Sequence, residues 1–278
     1  REKVLYSLLR ILPRDRYSSD KILLLAEGAG MLKVQELFYL RSRDYRKALE
    51  AYLKNQERSS YVFTFIQSLM SNPYVSSEDK NEIKDAALDN LTQLVKIDSS
   101  ATCNLVLEYF TQEHINVWKR LKPHPSLQYA YLSSIMTSSN TMDELISRKG
   151  IEITTDMHEA YIKLLCQFNP KEVYKYLLVH TNYRLDYCLS ICQHYDILDA
   201  STYLLERTGD VSGALTMILT RSNQNVTNLV ALHPNSESLE QMKEEGKKLE
   251  STIKIAIVLC QRNSSSLPEE ENKALWFR

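Results

Sequence analysis

Apolar residues recur every three to four positions along almost the whole chain, which is the spacing of one face of an α-helix. No run of several residues alternates strictly between apolar and polar side chains, as a half-buried strand would. The 278 residues include only 6 Gly and 7 Pro, too few for the many tight turns of a sheet protein. The sequence therefore predicts an all-α fold.

Turn residues divide this pattern into a succession of helices. Asn72-Pro73, Pro123-His124-Pro125 and Asn169-Pro170 each favour a turn. We expect Asp20 to cap one helix and Ser99 or Ser100 to cap another. The helices are predicted over residues 20–30, 34–40, 45–52, 61–70, 78–97, 105–110, 129–136, 157–168, 171–179 and 185–195, with a long helix from after residue 236 to about residue 263 and a last one at 269–277.

Residues 1–278 are expected to form a single α-solenoid segment of a longer polypeptide. The start, Arg1-Glu2-Lys3-Val4, resembles neither a signal peptide nor a natural initiator. Between residues 137 and 155 the chain is rich in Ser, Thr and Asn around a short Leu145-Ile146 patch, which predicts a loop or a short helix. This irregular stretch would divide two sub-stacks of helices.

Charge and cysteine usage narrow the class of partner. The 34 basic and 35 acidic residues are interleaved, so the net charge of −1 creates no field that would attract nucleic acid or an anionic membrane. No apolar run approaches the roughly 18 to 20 residues that span a bilayer. Other proteins are therefore the expected partners. Reduced thiols in a cytosolic protein are indicated by five cysteines without framework spacing: Cys103, Cys166, Cys188, Cys192 and Cys260.

The chain matches itself at an offset of 166 residues, the difference between Asp210 and Asp44, without a gap through about thirty residues. In both copies the Asp is followed four and five residues later by Ala-Leu, which sets the register of helix and turn. The paired residues share their chemistry: Leu25 with Ile191, Met31 with Ile197, Leu32 with Leu198, Val34 with Ala200, Phe38 with Leu204, Arg41 with Arg207, Ala48 with Ala214 and Leu49 with Leu215.

The repeated residues have the roles expected of a helix hairpin. Asp44 and Asp210 can cap the second helix of each copy, and Ala48 and Ala214, one turn further on, would let the paired helices approach closely. Gly209 can adopt the left-handed conformation that ends a helix, whereas Arg43 would adopt it less easily, so the two turns are expected to differ. Because one hairpin cannot bury both of its faces, such units are expected to stack side by side.

Two motifs resemble a known family. The segment Tyr203-Leu204-Leu205-Glu206-Arg207-Thr208-Gly209-Asp210, with Ala214-Leu215, resembles the clathrin-heavy-chain type of repeat found in membrane-traffic proteins. The segment Ile257 to Ser264, followed by Ala274-Leu275-Trp276-Phe277, resembles the vacuolar-sorting subunit eight family of the CORVET endosomal tethering complex. The resemblance is strongest over about residues 183–277. It implies an α-solenoid between an amino-terminal propeller and a carboxy-terminal RING-type zinc domain, working with a Rab GTPase and other sorting subunits.

Motifs for phosphate or metal chemistry find little support. The sequence contains neither Gly-x-Gly-x-x-Gly nor Gly-x-x-x-x-Gly-Lys-Ser/Thr. Cys188 and Cys192 share a helix face near His194, yet Cys192 aligns with Ala26 of the other copy, so small apolar core residues are the favoured interpretation over metal ligands. His158-Glu159 lacks the second His of a zincin motif. The remaining histidines are scattered, which favours a surface position: His114, His124, His180 and His233.

Clusters of charge are also expected to be structural. Glu244-Glu245 should face water, and Glu269-Glu270-Glu271 follow Pro268 at a helix start, where negative charge is favourable. The densest basic cluster combines Arg41, Arg43, Arg46 and Lys47. A protein or phosphate contact there is one interpretation, and a solvated hairpin edge is the favoured one because no aromatic residues suited to base stacking accompany it.

The sequence as a whole predicts a non-catalytic protein-interaction scaffold, without cofactor, metal or nucleic acid. By resemblance, it would belong to an endosomal membrane-tethering subunit in vacuolar or lysosomal protein sorting, cytoplasmic and peripheral on early endosomes. Its partners would be other vacuolar-sorting tethering subunits, and an early-endosomal Rab GTPase bound through parts of the longer protein outside this segment. A solenoid of another trafficking or coat complex, HOPS-type or clathrin-like, and a helical enzyme with an unrecognised site remain alternatives.

Overall fold

The computed structural model describes residues 1–13, 16–55, 58–137, 146–232 and 238–264, and over these residues every regular element is a helix. The chain divides into two compact units, unit 1 (Arg1–Glu152) and unit 2 (Ile153–Arg278). None of the described helices is long and apolar enough to cross a membrane. The observed architecture is the predicted all-α solenoid of antiparallel helix hairpins.

Unit 1 begins with ten α-helices in succession, with a 3-10 turn (Thr111–Glu113) before the ninth. They are α1 (Glu2–Ile11), α2 (Ser19–Gly28), α3 (Leu32–Ser42), α4 (Tyr45–Lys54), α5 (Tyr61–Met70), α6 (Ser77–Asp89), α7 (Leu91–Ile97), α8 (Ser99–Tyr109), α9 (His114–Arg120) and α10 (Pro125–Met136). Helix α1 is an addition to the predicted set. Helices that follow one another pack together, α2 on α3 and α3 on α4.

Unit 2 contains six described α-helices, with a 3-10 turn (Pro170–Glu172) before the second. They are α11 (Thr155–Phe168), α12 (Val173–Val179), α13 (Leu185–His194), α14 (Leu198–Arg207), α15 (Val211–Ala231) and α16 (Ser238–Asn263). The long helix predicted after residue 236 is therefore confirmed as α16. The helix predicted at 269–277 and the central part of the polar interval, residues 138–145, lie outside the described residues. Residues 146–149 are helical.

The 166-residue repeat is reproduced by the backbone. Helix α2 becomes α13 and α3 becomes α14 when 166 is added to the number of the first residue. Each second helix is capped as predicted, because Asp44 accepts from the Lys47 amide at 3.1 Å and Asp210 accepts from the Gly213 amide at 2.7 Å. Both predicted alanines are buried, Ala48 against its hairpin in unit 1 and Ala214 in unit 2.

The expected difference between the two turns is wrong. Arg43 has φ 59° and Gly209 has φ 87°, so both adopt the left-handed conformation. In both copies the amide after this residue donates back to the helix, from Asp44 to the Tyr39 carbonyl and from Asp210 to the Leu205 carbonyl. The cap and the returning amide bond therefore hold Arg43 in a conformation that side chains other than glycine adopt rarely.

Two predicted helix boundaries also need correction. The helix expected over 78–97 is interrupted at Asn90, whose side-chain amide donates to the Ala86 carbonyl at 3.0 Å, a local bond that competes with the helix. The caps shift by one or two residues. Ser18 stands at the N-cap position and Asp20 lies in the first turn, and Asp98 caps α8 by accepting from the Ala101 amide at 2.8 Å.

The repeat register can be tested at Ala214, which is 0% exposed and packs in a cluster with Leu215, Ile218, Leu259 and Cys260. Ala214→Arg should lower the free energy of unfolding by about 1 to 3 kcal/mol through overpacking, and by several kcal/mol more through an unpaired buried charge. The control is Lys247→Ala at an exposed position of α16, with an expected change below about 0.5 kcal/mol. Thermal melts of both variants measure this. Parent-like melting of Ala214→Arg would contradict the buried position of residue 214.

Candidate interaction site

The basic cluster does not form a free patch. Each of its cations has a partner from a different part of unit 1: Arg41 donates to the Tyr17 hydroxyl at 2.6 Å and to the Leu9 carbonyl at 2.9 Å, Arg43 lies 3.8 Å from Asp79, Arg46 lies 2.7 Å from Asp89, and Lys47 lies 2.9 Å from Asp44. These pairs fasten the hairpin to its neighbours. The favoured interpretation of the cluster as a hairpin edge is confirmed.

The cysteine pair lies in the core of unit 2. Cys188 and Cys192 of α13 are buried beside Cys166 of α11. Burial raises the pKa of the Cys188 thiol to about 12, and the hydrogen bond from Cys166 together with burial raises the pKa of the Cys192 thiol. His194 is exposed and stands edge-on to Tyr195. Among the described residues no group of three or more His, Cys, Asp or Glu is placed to hold a metal ion.

His158 and Glu159 tie α11 to the next two helices. The His158 Nδ1 and the Tyr176 hydroxyl are 2.6 Å apart, and burial followed by the nearby His180 lowers the pKa of His158. Glu159 accepts two bonds from the Arg184 guanidinium, at 2.8 and 2.6 Å, and one from its backbone amide. The Arg184 bonds lower the pKa of Glu159. Sequence reasoning missed both partners because they lie 18 and 25 residues away, with no local signal.

His114 occupies an unusual position in unit 1. The sequence favoured a surface site, but the side chain is buried and neither ring nitrogen has a hydrogen-bond partner. Burial lowers the pKa of His114 to about 4 because the charged form is poorly solvated there. Its place explains this, since α9 and α12 begin three residues after equivalent points in their units and α12 begins with the fully buried Val173. An apolar residue would suit the position of His114.

The buried His114 should make the fold acid-sensitive. In the unfolded chain its pKa is about 6.5, so the unfolded state binds the proton first, and the free energy of unfolding should fall as the pH drops from 6.5 towards 4. At pH 5 the loss relative to pH 7 should be about 2 kcal/mol. His114→Val should remove this part of the pH dependence and melt higher than the parent at pH 5. Urea unfolding at pH 7 and pH 5 measures it, with the exposed His194→Val as a control that should retain the parent's pH dependence.

The acidic pair also has a structural role. Glu244 and Glu245 face Lys248 on the same helix, at 3.6 and 2.7 Å. Such pairs on an exposed helix face support the helix by a few tenths of a kcal/mol, at roughly 0.2 to 0.5 each. Residues 269–271 lie outside the described residues.

The surface feature best suited to a partner is a groove of unit 1, here called the α2–α4 groove. Its cavity of about 760 Å³ is lined by both signs of charge and by aromatic and amide groups: Glu27, Gln35, Tyr39, Lys47, Glu50 and Lys54. Gly30 and Asn55 complete its rim. In unit 2 their counterparts are Asp196 and Arg221, which form an ion pair. The equivalent groove is therefore bridged in unit 2 and open in unit 1.

Comparison with known proteins agrees with this architecture. Residues 29–237 match the family described as the Vps41 TPR-like region. The chain belongs to this family. Over 277 residues it is 30% identical to the human vacuolar protein sorting-associated protein 8 homolog and 29% identical to the mouse one, covering 100% of this chain and 19% of each relative. The human vacuolar protein sorting-associated protein 41 homolog is 24% identical over 224 residues, which is 77% of this chain and 23% of that protein.

The comparisons confirm the resemblance to subunit eight and extend it. The motifs that suggested it lie in the last third of the chain, whereas the similarity to the human protein 8 homolog covers the whole chain. The chain spans about a fifth of the length of these relatives. No solved structure matches it.

Proposed function

We propose that the chain is a non-catalytic scaffold segment of a membrane-tethering subunit in endosomal and vacuolar protein sorting. The observation that carries this proposal is the match of the solenoid to the vacuolar protein sorting-associated proteins 8 and 41. The side chains weighed as chemistry support it too, since the buried thiols, His158 and the basic cluster are engaged in packing and pairing. A stack of hairpins acts by fixing distances and offering surfaces.

The proposed partners are other vacuolar-sorting tethering subunits. An early-endosomal Rab GTPase would bind through parts of the longer protein outside this segment, and the protein would be cytoplasmic and peripheral on early endosomes. Within unit 1, the α2–α4 groove would hold a segment of a partner subunit. Because the groove carries Lys47 and Lys54 beside Glu27 and Glu50, a segment with both acidic and basic side chains fits it best.

Affinity purification of the full-length protein from cells tests both levels of the proposal. Ala51→Trp should fill the α2–α4 groove, which Ala51 lines, and lower the recovery of at least one sorting subunit by about tenfold. Met217→Trp, at the position 166 residues further on, is the matched control and should leave recovery unchanged.

The outcomes separate the groove from the wider function. Recovery of sorting subunits by the parent but no loss in Ala51→Trp would remove the groove from the proposal and leave the tethering role. Coat subunits recovered without any sorting subunits would overturn the tethering role itself.

We also propose that residues 1–278 are one solenoid segment in which the stretch 137–155 joins two sub-stacks. The boundary between the two compact units, at Glu152 and Ile153, supports this. Limited digestion with a protease of broad specificity should cut first within 137–155 and give two protected fragments, because buried and hydrogen-bonded helices resist cleavage. Mass spectrometry of the fragments locates the cuts, and first cuts inside α3, α4, α14 or α15 would contradict this organisation.

A further inference from the structure

The same three partners anchor the hairpin in each unit to the helix before it. In unit 1 Arg41 donates to the Tyr17 hydroxyl and to the Leu9 carbonyl. In unit 2 Arg207 donates to the Tyr183 hydroxyl at 3.1 Å, which in turn donates to the Leu177 carbonyl at 3.0 Å. Arginine and tyrosine keep the 166-residue offset. Leu9 and Leu177 differ by 168, because the link between carbonyl and tyrosine is two residues shorter in unit 2, so α1 is the counterpart of α12.

In unit 2 a further helix covers this pair of helices. Helix α11 packs on both α12 and α13. His158 and Tyr161 of α11 meet the ring of Tyr176, with ring centroids 6.0 and 5.0 Å away. On α13, Cys188 and Ile191 are buried. The face that α12 and α13 share is therefore closed.

The same face of unit 1 is exposed, although it is apolar. Leu8 is the counterpart of Tyr176 and is 51% exposed against 8%, and Leu25 is the counterpart of Ile191 and is 71% exposed against 8%. Ile22, the counterpart of the fully buried Cys188, is only half-buried. Large apolar side chains exposed together at a repeated packing position indicate a missing neighbour.

We propose that Leu8, Ile22 and Leu25 form the docking face for one further helix, the counterpart of α11, supplied by the polypeptide directly before Arg1 in the longer protein. Subtracting the same 168 residues from Thr155–Phe168 places this helix immediately ahead of Arg1, and the relatives are about five times longer than this chain. The inference does not depend on the tethering role.

The chemistry of the face specifies the incoming helix. Leu8 replaces the Tyr176 hydroxyl and Ser18 replaces Arg184, so the polar partners that His158 and Glu159 find in unit 2 have no equivalent in unit 1. The docking helix should present a stripe of aliphatic or aromatic residues at helical spacing, without a histidine or carboxylate at those two positions.

Cysteine labelling of the full-length protein tests the proposal. Leu8→Cys and Leu25→Cys should react with a maleimide about tenfold more slowly than Ile11→Cys, since packing shields a side chain from solvent. Ile11 is the matched control because it is 82% exposed and its counterpart Val179 stays 76% exposed despite α11. The five native cysteines are buried, so their continued lack of labelling verifies that each variant is folded.

A photo-crosslinker on Leu24→Cys, at the rim of the face, identifies the occupant. A crosslink to the residues directly before Arg1 would support the proposal. Equal labelling at positions 8, 11 and 25, or a crosslink to a second copy or to another subunit, would overturn it.

Discussion

Each hairpin of this solenoid depends on a turn that is held at both ends. One residue adopts the left-handed conformation, the next residue returns its amide to the preceding helix, and that residue's carboxylate then caps the following helix. These bonds satisfy backbone groups at two helix ends at once. Because they also fix the angle at which the chain re-enters the layer, the buried alanines of the two copies meet their neighbours in the same way.

Much of this geometry is readable from the sequence. The offset between Asp44 and Asp210 identifies the capped turn, and Ala48 and Ala214 identify the buried side of the second helix. The conformation of Arg43 is not readable, because the usual preference for glycine is overridden by bonds that only the folded turn supplies. The interruption at Asn90 escapes for a similar reason, since the apolar period continues through it and only a side-chain bond breaks the helix.

Contacts between distant residues are the other part that pattern reasoning could not reach. The partners of His158 and Glu159 are on neighbouring helices, and no spacing rule connects them. His114 shows the opposite failure, because a scattered histidine gives no sign in the sequence that it will occupy an apolar core position. The α2–α4 groove is made of ordinary helix-surface residues, and only the alignment of the two folded copies reveals that one groove is bridged and the other open.

The unequal length of neighbouring helices gives unit 2 a mechanical property. Helix α15 has 21 residues and α14 has 10, so they measure about 32 and 15 Å. The core cluster takes side chains from α15 only as far as Leu219, and further out the buried Asn225 bonds to Thr252 of α16 while Val226 and Val230 face solvent. The outer half of this helix pair is thus a cantilever clamped at its base. A rotation of a few degrees at the clamp is magnified into a displacement at the tip, which converts small repacking of the core into movement of a surface far from it.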